Sequence, residues 1–155
     1  MPRERVHVHE VGAVDAIVDI VGSAIGLDLL GIDRVICAPL PVSSGMTQGS
    51  HGSIPLPAPA TLQILAGHPV CNADSDRELV TPTGAAIAAT MARFGPLPEM
   101  TIDRIGYGVG GWDLADRPNL LRGILGSEEP GSTLESDRVT VIETHIDDSS
   151  PELLG

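Results

Sequence analysis

Five side chains near the start of the sequence have the types and spacing of a metal site. His7, His9 and Glu10 stand together in HVHE, and Asp15 and Asp19 follow in VGAVDAIVDIVG. Imidazole is the commonest protein ligand for transition metals, and on an extended strand His7 and His9 project to the same side. On a helix Asp15 and Asp19 lie one turn apart, and carboxylates suit harder cations such as magnesium or manganese. The same residues also have an ordinary reading. Glu10 and Asp15 favour the positive end of a helix dipole, Asp19 pairs with an arginine, and the histidines face water.

A second set of candidates suits an anionic ligand. His51 lies in QGSHGSIPLPAPAT, where flanking glycines let a backbone approach closely; it is a third metal ligand, an acid–base group or an exposed loop histidine. Thr81, Thr83 and Gly84 stand in LVTPTGAA, the start of a helix whose N–H groups can hold a carboxylate or a phosphate. Simple capping by Thr81 or Thr83 explains the same residues. Near the end, IDDSSPE offers Asp147, Asp148 and Glu152 either to a hard cation or to a helix N-terminus. GYGVGG resembles a dinucleotide loop, but no clear helix follows it, so that reading fails in context. Neither a G-x-S-x-G elbow nor an assembled Ser-His-Asp or Cys-His set is visible.

These residues need elements to position them. The first is a helix from about Val11 to Leu30, apolar nearly all round and therefore expected to be buried, with Gly31 as its stop. Two like charges spaced i, i+4 on such a helix oppose folding unless donors or a cation compensate them. RVICAPLPV reads as a strand ended by prolines, and SSGMTQGSHGS as a loop. Pro59 opens a short helix closed by Gly67, PVCNAD reads as a strand, and an alanine-rich helix runs from Thr81 or Thr83 to a stop at Gly95-Pro96. MTIDRIGYGVGG, NLLRGILG and DRVTVIETHID follow as three strand-like runs, the last two separated by an acidic polar loop. Helices and strands mixed without regular alternation point to an α+β, or irregular α/β, fold. A single compact domain with a long buried N-terminal helix is expected.

The 155 residues suit one domain with a real core, built on aliphatic side chains because Phe94, Tyr107 and Trp112 are the only aromatics. A formal charge of −12 and so few rings argue against nucleic acid and anionic membranes as partners. All the basic side chains are arginine, so a lysine Schiff base and a Walker-type phosphate loop are excluded. Cys37 and Cys71 lie outside any C-x-x-C spacing, which leaves no disulfide framework and no zinc-finger pattern. The opening MPRERVHVHE has no apolar signal core and no apolar run reaches membrane-spanning length, so a soluble cytoplasmic protein is expected.

Taken in order, HVHEVGAVDAIVDIVG, RVICAPLPVSSG, HGSIPLPAPATLQILAG, ELVTPTGAAIAATMARFGPLP, IGYGVG, NLLRGILG and VIETHIDDSSPE resemble the LarC family of nickel-insertion proteins. The resemblance covers nearly the whole chain. It implies insertion of nickel into pyridinium-3,5-bisthiocarboxylic acid mononucleotide, with nickel–sulfur and nickel–carbon bonds formed. It further implies dependence on CTP with magnesium or manganese in the complete protein, and delivery of the product to lactate racemase-type apoenzymes. On this resemblance His7, His9, Glu10, Asp15 and Asp19 become candidates for handling nickel or an activating cation. His51, Thr81, Thr83 and Gly84 become candidates for the nucleotide substrate.

The departures from the family pattern are specific. The aspartate-rich D-x-F-S-G-x-x-G-D-M opening and the CTP-associated C-terminal portion are absent, and His145 and Ser149 stand where the family commonly has asparagine and methionine. Residues 1–155 are thus expected to be the central LarC-like domain, working with the missing segments or a second subunit. The alternative is a non-catalytic module that holds nickel or the nucleotide, or that assembles partner subunits.

Overall fold

The computed structural model describes residues 14–49, 52–111, 113–114, 117–128 and 138–144, with 138–144 described as backbone. The first element, α1 (Val14–Leu29), ends on a glycine for a clear reason. Gly31 takes a φ of 62°, its N–H donates to the Asp28 carbonyl at 3.0 Å, and the Ile32 N–H donates to the Leu27 carbonyl at 3.0 Å. That pair of bonds satisfies the last carbonyls of the helix and turns the chain sharply, a conformation that favours a residue without a Cβ.

The strands follow as β1 (Arg34–Cys37), β2 (Leu40–Val42), β3 (Gly45–Gly49), β4 (Gly52–Leu56) and β5 (Val70–Asn72), with α2 (Pro59–Ile64) between the last two. Then come α3 (Pro82–Met91), β6 (Ala92–Phe94), β7 (Thr101–Val109), β8 (Leu120–Ser127) and β9 (Arg138–Thr144). The main sheet has the order β6-β1-β9-β8-β7. β1 runs parallel to both β6 and β9, while β8 is antiparallel to β9 and β7. β2 pairs parallel with β5 and β3 pairs antiparallel with β4. The α+β expectation is borne out.

The core lies where α2 and α3 cover one face of β1. Cys37, Leu40, Leu65, Val80, Ala85 and Ala88 pack there, with Phe94 and Ile64 at the margin. Alanines at 85 and 88 let α3 approach closely, which suits a chain with few large side chains. Thr61 is fully buried and spends its hydroxyl on the Val80 carbonyl at 3.4 Å, joining α2 to the segment before α3. On another face Ile124 packs against Ile36 and Met100. Arg34 and Glu128, both largely buried, form an ion pair beside the sheet.

Several expectations need correction. RVICAPLPV is two strands rather than one, because the chain leaves the main sheet at Ala38-Pro39 and pairs next with β5. SSGMTQGSHGS is largely a hairpin: Met46 pairs with Pro55, Thr47 with Ile54, and the Gln48 amide donates to the Ser53 hydroxyl at 2.7 Å. Glycine and serine signal turns, but cross-strand partners decided this segment. The alanine-rich helix stops at Met91, short of Gly95, since residues 92–94 are drawn into the sheet beside β1 and the Gly95 N–H donates to the Cys37 carbonyl at 3.0 Å.

The largest correction concerns α1. None of its residues is buried; Val14 is 73% exposed and Val18 62%. An apolar sequence fixes which faces avoid water but not whether their covering lies in the same chain. Within the described residues α1 packs chiefly on α3. No helix among the described residues is long and apolar enough to cross a membrane.

Candidate functional site

α1 and α3 meet at a notch of about 490 Å³ that joins two sequence-predicted sets of residues. Asp19, Gly22 and Ser23 come from α1, and Thr81, Thr83, Gly84 and Ile87 from the start of α3. Residues 19 and 23 are one turn apart, so a single row of α1 faces the first turn of α3. Gly22 leaves the wall open, since a Cβ there would meet nothing within 4 Å.

Thr81 is the N-cap of α3. Its extended backbone and its hydroxyl, which accepts from the Gly84 N–H at 3.2 Å, satisfy one of the donors that a helix start leaves free. Pro82 then occupies the first helical position, where no donor is needed. Thr83 and Gly84 complete the turn at the positive end of the helix dipole. A carboxylate or phosphate is favoured at such an end, and so is Asp19, which lines the same notch.

That proximity revises the expected electrostatics of α1. Asp15 and Asp19 are both exposed, so neither bears the burial cost expected of them. Asp19 borders the α3 N-terminus; Asp15 lines neither this notch nor the larger cleft beside it. The two aspartates therefore separate, and only Asp19 joins Thr81, Thr83 and Gly84.

The larger cleft, about 730 Å³, shares Asp19, Ser23, Thr81 and Gly84 with the notch and extends to the ends of β7 and β8. Most of its wall is aliphatic. Three polar residues that sequence reasoning did not single out as site residues also line it: Cys37, Arg117 and Asn119. Cys37 is 1% exposed; its thiol donates to the Ala38 carbonyl at 3.2 Å, and burial pushes its pKa up to about 11. It is thus a neutral thiol at neutral pH, a soft donor that must lose a proton before it binds a metal. Arg117 donates to the Asp74 carbonyl, and the Asn119 carbonyl accepts from the Gly110 N–H at 2.8 Å, which ties the segment before β8 to the end of β7. No local pattern in WDLADRPN signals this placement, because it depends on the β7–β8 pairing.

His7, His9 and Glu10 lie outside the described residues, as do His51, Asp147, Asp148 and Glu152. Among the described residues no group of three or more His, Cys, Asp or Glu side chains could hold a metal ion. Cys71 lines neither cavity and donates to the Pro39 carbonyl at 3.4 Å. His68 packs its ring on Phe94 with centroids 5.2 Å apart, in keeping with a structural role.

Comparison with known proteins points to one family. The family model described as nickel insertion protein matches residues 1–155. A Syntrophotalea carbinolica protein is 59% identical over 152 residues, which are 98% of this chain and 39% of that protein. A Geotalea daltonii protein is 56% identical over 151 residues, 97% of this chain and 38% of its own length. Both carry names that assign them provisionally to nickel insertion. The chain spans about two fifths of the length of these relatives. No solved structure matches it.

Proposed function

The chain belongs to the nickel insertion protein family, and from that premise we propose that it forms the central part of a nickel insertase. The substrate is pyridinium-3,5-bisthiocarboxylic acid mononucleotide, nickel is the cargo, and the product is a nickel-pincer cofactor delivered to lactate racemase-type enzymes. The setting is cytoplasmic. The family match over the whole chain carries this reading. The meeting of Asp19 with Thr81, Thr83 and Gly84 supports it, because it joins a cation-binding group to an anion-binding turn.

The roles follow from the chemistry of the groups. The start of α3 receives a carboxylate or phosphate oxygen of the nucleotide through the Thr83 N–H and hydroxyl at the positive end of the helix dipole. Asp19 offers an oxygen donor to nickel beside that anion, with His7, His9 and Glu10 as further candidates along the same stretch of sequence. Holding metal and ligand side by side turns an encounter in solution into a local one. The aliphatic walls of the larger cleft exclude water from sulfur donors that must meet the metal. Magnesium or manganese with CTP belongs to the complete protein. The described residues offer no cluster of three carboxylate, imidazole or thiol groups to cage such a cation, so none is assigned to it.

A second reading is favoured by the chain's span of about two fifths of its relatives. On it, the chain is a non-catalytic module that holds nickel or the nucleotide, or assembles other subunits. One experiment separates the two. The chain, supplemented with the remaining polypeptide of the Syntrophotalea carbinolica relative, is incubated with nickel, CTP, a magnesium salt and the bisthiocarboxylate mononucleotide, and product is read by mass and by activation of a lactate racemase-type apoenzyme; nickel binding to the chain is measured in parallel by calorimetry. Product formation supports the insertase. Nickel or nucleotide binding without product supports the module, and neither binding nor product rejects both forms of the proposal.

A further inference from the structure

Charge is sparse and divided in the two cavities. Among the described residues that line them, Asp19 is the only anionic side chain and Arg117 the only cationic one. Asp19 borders both the notch and the larger cleft, whereas Arg117 borders the larger cleft alone. A ligand that runs from the notch into the cleft therefore passes from a carboxylate to a guanidinium along a mostly aliphatic wall. The cleft's volume of about 730 Å³ lies in the range of small-molecule sites.

Backbone contacts hold the Arg117 end in place. Nη2 of Arg117 donates to the Asp74 carbonyl, which ties the segment before β8 to the segment after β5. A neutral carbonyl orients the guanidinium without cancelling its charge. With five N–H donors in a planar fork, a head fixed this way can serve a further acceptor. Two residues on, the Asn119 carbonyl accepts from the Gly110 N–H, and a Cβ at Gly110 would collide with the Asn119 side chain. Glycine at 110 thus lets the end of β7 close on the start of β8 near Arg117.

The two ends suit different parts of a nucleotide. A phosphate carries roughly −1.5 to −2 charge at neutral pH. In the notch it would face the Asp19 carboxylate, and no cationic side chain among the described residues lines that notch. The start of α3 supplies only about half a positive charge. Arg117 supplies a full charge and the fork that phosphate oxygens match. A thiocarboxylate carries less charge and must reach the metal, which sits between it and Asp19 and offsets their repulsion.

We propose that Arg117 receives the phosphate of the substrate, so that the mononucleotide lies along the cleft with its thiocarboxylate-bearing ring at Asp19 and the first turn of α3. This orientation rests on the insertase reading for the identity of the ligand. It adds to that reading the residue that selects the phosphorylated form.

Calorimetry on this chain with the bisthiocarboxylate mononucleotide and with its dephosphorylated nucleoside tests it. The chain is expected to bind the mononucleotide roughly tenfold or more tightly, as charge-assisted bonds to a phosphate require. Arg117→Gln should lose that preference while keeping the affinity for the nucleoside, and Arg117→Lys should restore part of it. Thr83→Ala should weaken both ligands alike. Equal affinity of the parent chain for the two ligands would overturn the proposal without recourse to any variant. So would a preference that survives Arg117→Gln, or one that Thr83→Ala abolishes, which would put the phosphate at α3 and reverse the orientation. Each of those results leaves the insertase reading standing. Failure of the parent chain to bind either ligand removes both the orientation and the nucleotide-binding reading beneath it.

Discussion

The Thr81 hydroxyl accepts a hydrogen bond from the Gly84 N–H at 3.2 Å, and both residues line the notch that Asp19 enters from the facing helix. The same contact thus caps α3 and shapes the candidate site. Thr81→Ala is expected to lower stability by about 1 kcal/mol through loss of the cap, and Thr81→Ser to keep most of it. Thr83 makes no cap, so Thr83→Ala should stay within about 0.5 kcal/mol of the parent. Chemical denaturation measures all three. A drop in nucleotide affinity in the Thr83 variant can then be read as loss of a contact, not of the fold.

Asp19 and Asp15 give opposite expectations although one helical turn separates them. Asp19→Asn should weaken nickel binding at least several-fold in calorimetry, because its carboxylate borders the notch. Asp15→Asn should leave binding near the parent value, since Asp15 lines neither cavity. Equal losses in both variants would return the site to the full acidic face imagined from the sequence.

Cys37 predicts a pH signature. Burial raises its pKa from 9.0 to about 11, so the folded chain keeps the proton where the unfolded chain releases it. The contribution is fully present below pH 9.0 and is lost as the pH rises towards about 11, at no more than roughly 1.4 kcal/mol per pH unit. Cys37→Ala should flatten the stability profile in that window. A thiol held at about 11 rather than 9.0 also has about a hundredfold less thiolate at neutral pH. Ellman's reagent should therefore modify the half-exposed Cys71 first and Cys37 far more slowly, merging the two phases only on denaturation.

Much of this was legible in the sequence, and the failures have physical causes. The glycine stop at Gly31, the Thr81 cap and the three late strands rest on local stereochemistry, which a short window contains. The β3–β4 hairpin and the early end of α3 were missed because pairing partners outside the window overruled local preference. For the site, the chemistry of Asp19 and Thr81 to Gly84 was readable but their meeting was not. Cys37 and Arg117 gave no local sign of lining one cleft. The burial expected of α1 failed for a different reason: periodicity reports a need for cover, not its source.

The β7–β8 pair offers a steric test. Gly126 pairs with Ile102, and a Cβ at Gly126 would collide with the Thr101 carbonyl and the Met100 side chain. Backbone cannot give way as a flexible side chain can, so Gly126→Ala is expected to cost about 1–3 kcal/mol. Gly123 pairs with Gly106, and its added Cβ would come no nearer than 3.9 Å to the Gly106 carbonyl. Gly123→Ala should be neutral or slightly stabilising, because it removes freedom from the unfolded strand. Paired melting curves of the two variants decide the matter.

The strand order carries a consequence for how the protein is made. β1 acquires its second neighbour from β9, where Arg34 pairs with Val139 and Cys37 with Ile142. On the ribosome β1 must therefore wait until β2 to β8 and two helices have been made before its sheet closes. A partnership between segments so distant in sequence lengthens the search and slows folding. Until β9 is made, β1 and β8 have no bridge between them, and nascent chains stalled before Arg138 should be digested by protease far faster than those released after Thr144. The cleft, walled by β1 on one side and by β8 on the other, takes its shape only after the strand that bridges them has left the ribosome.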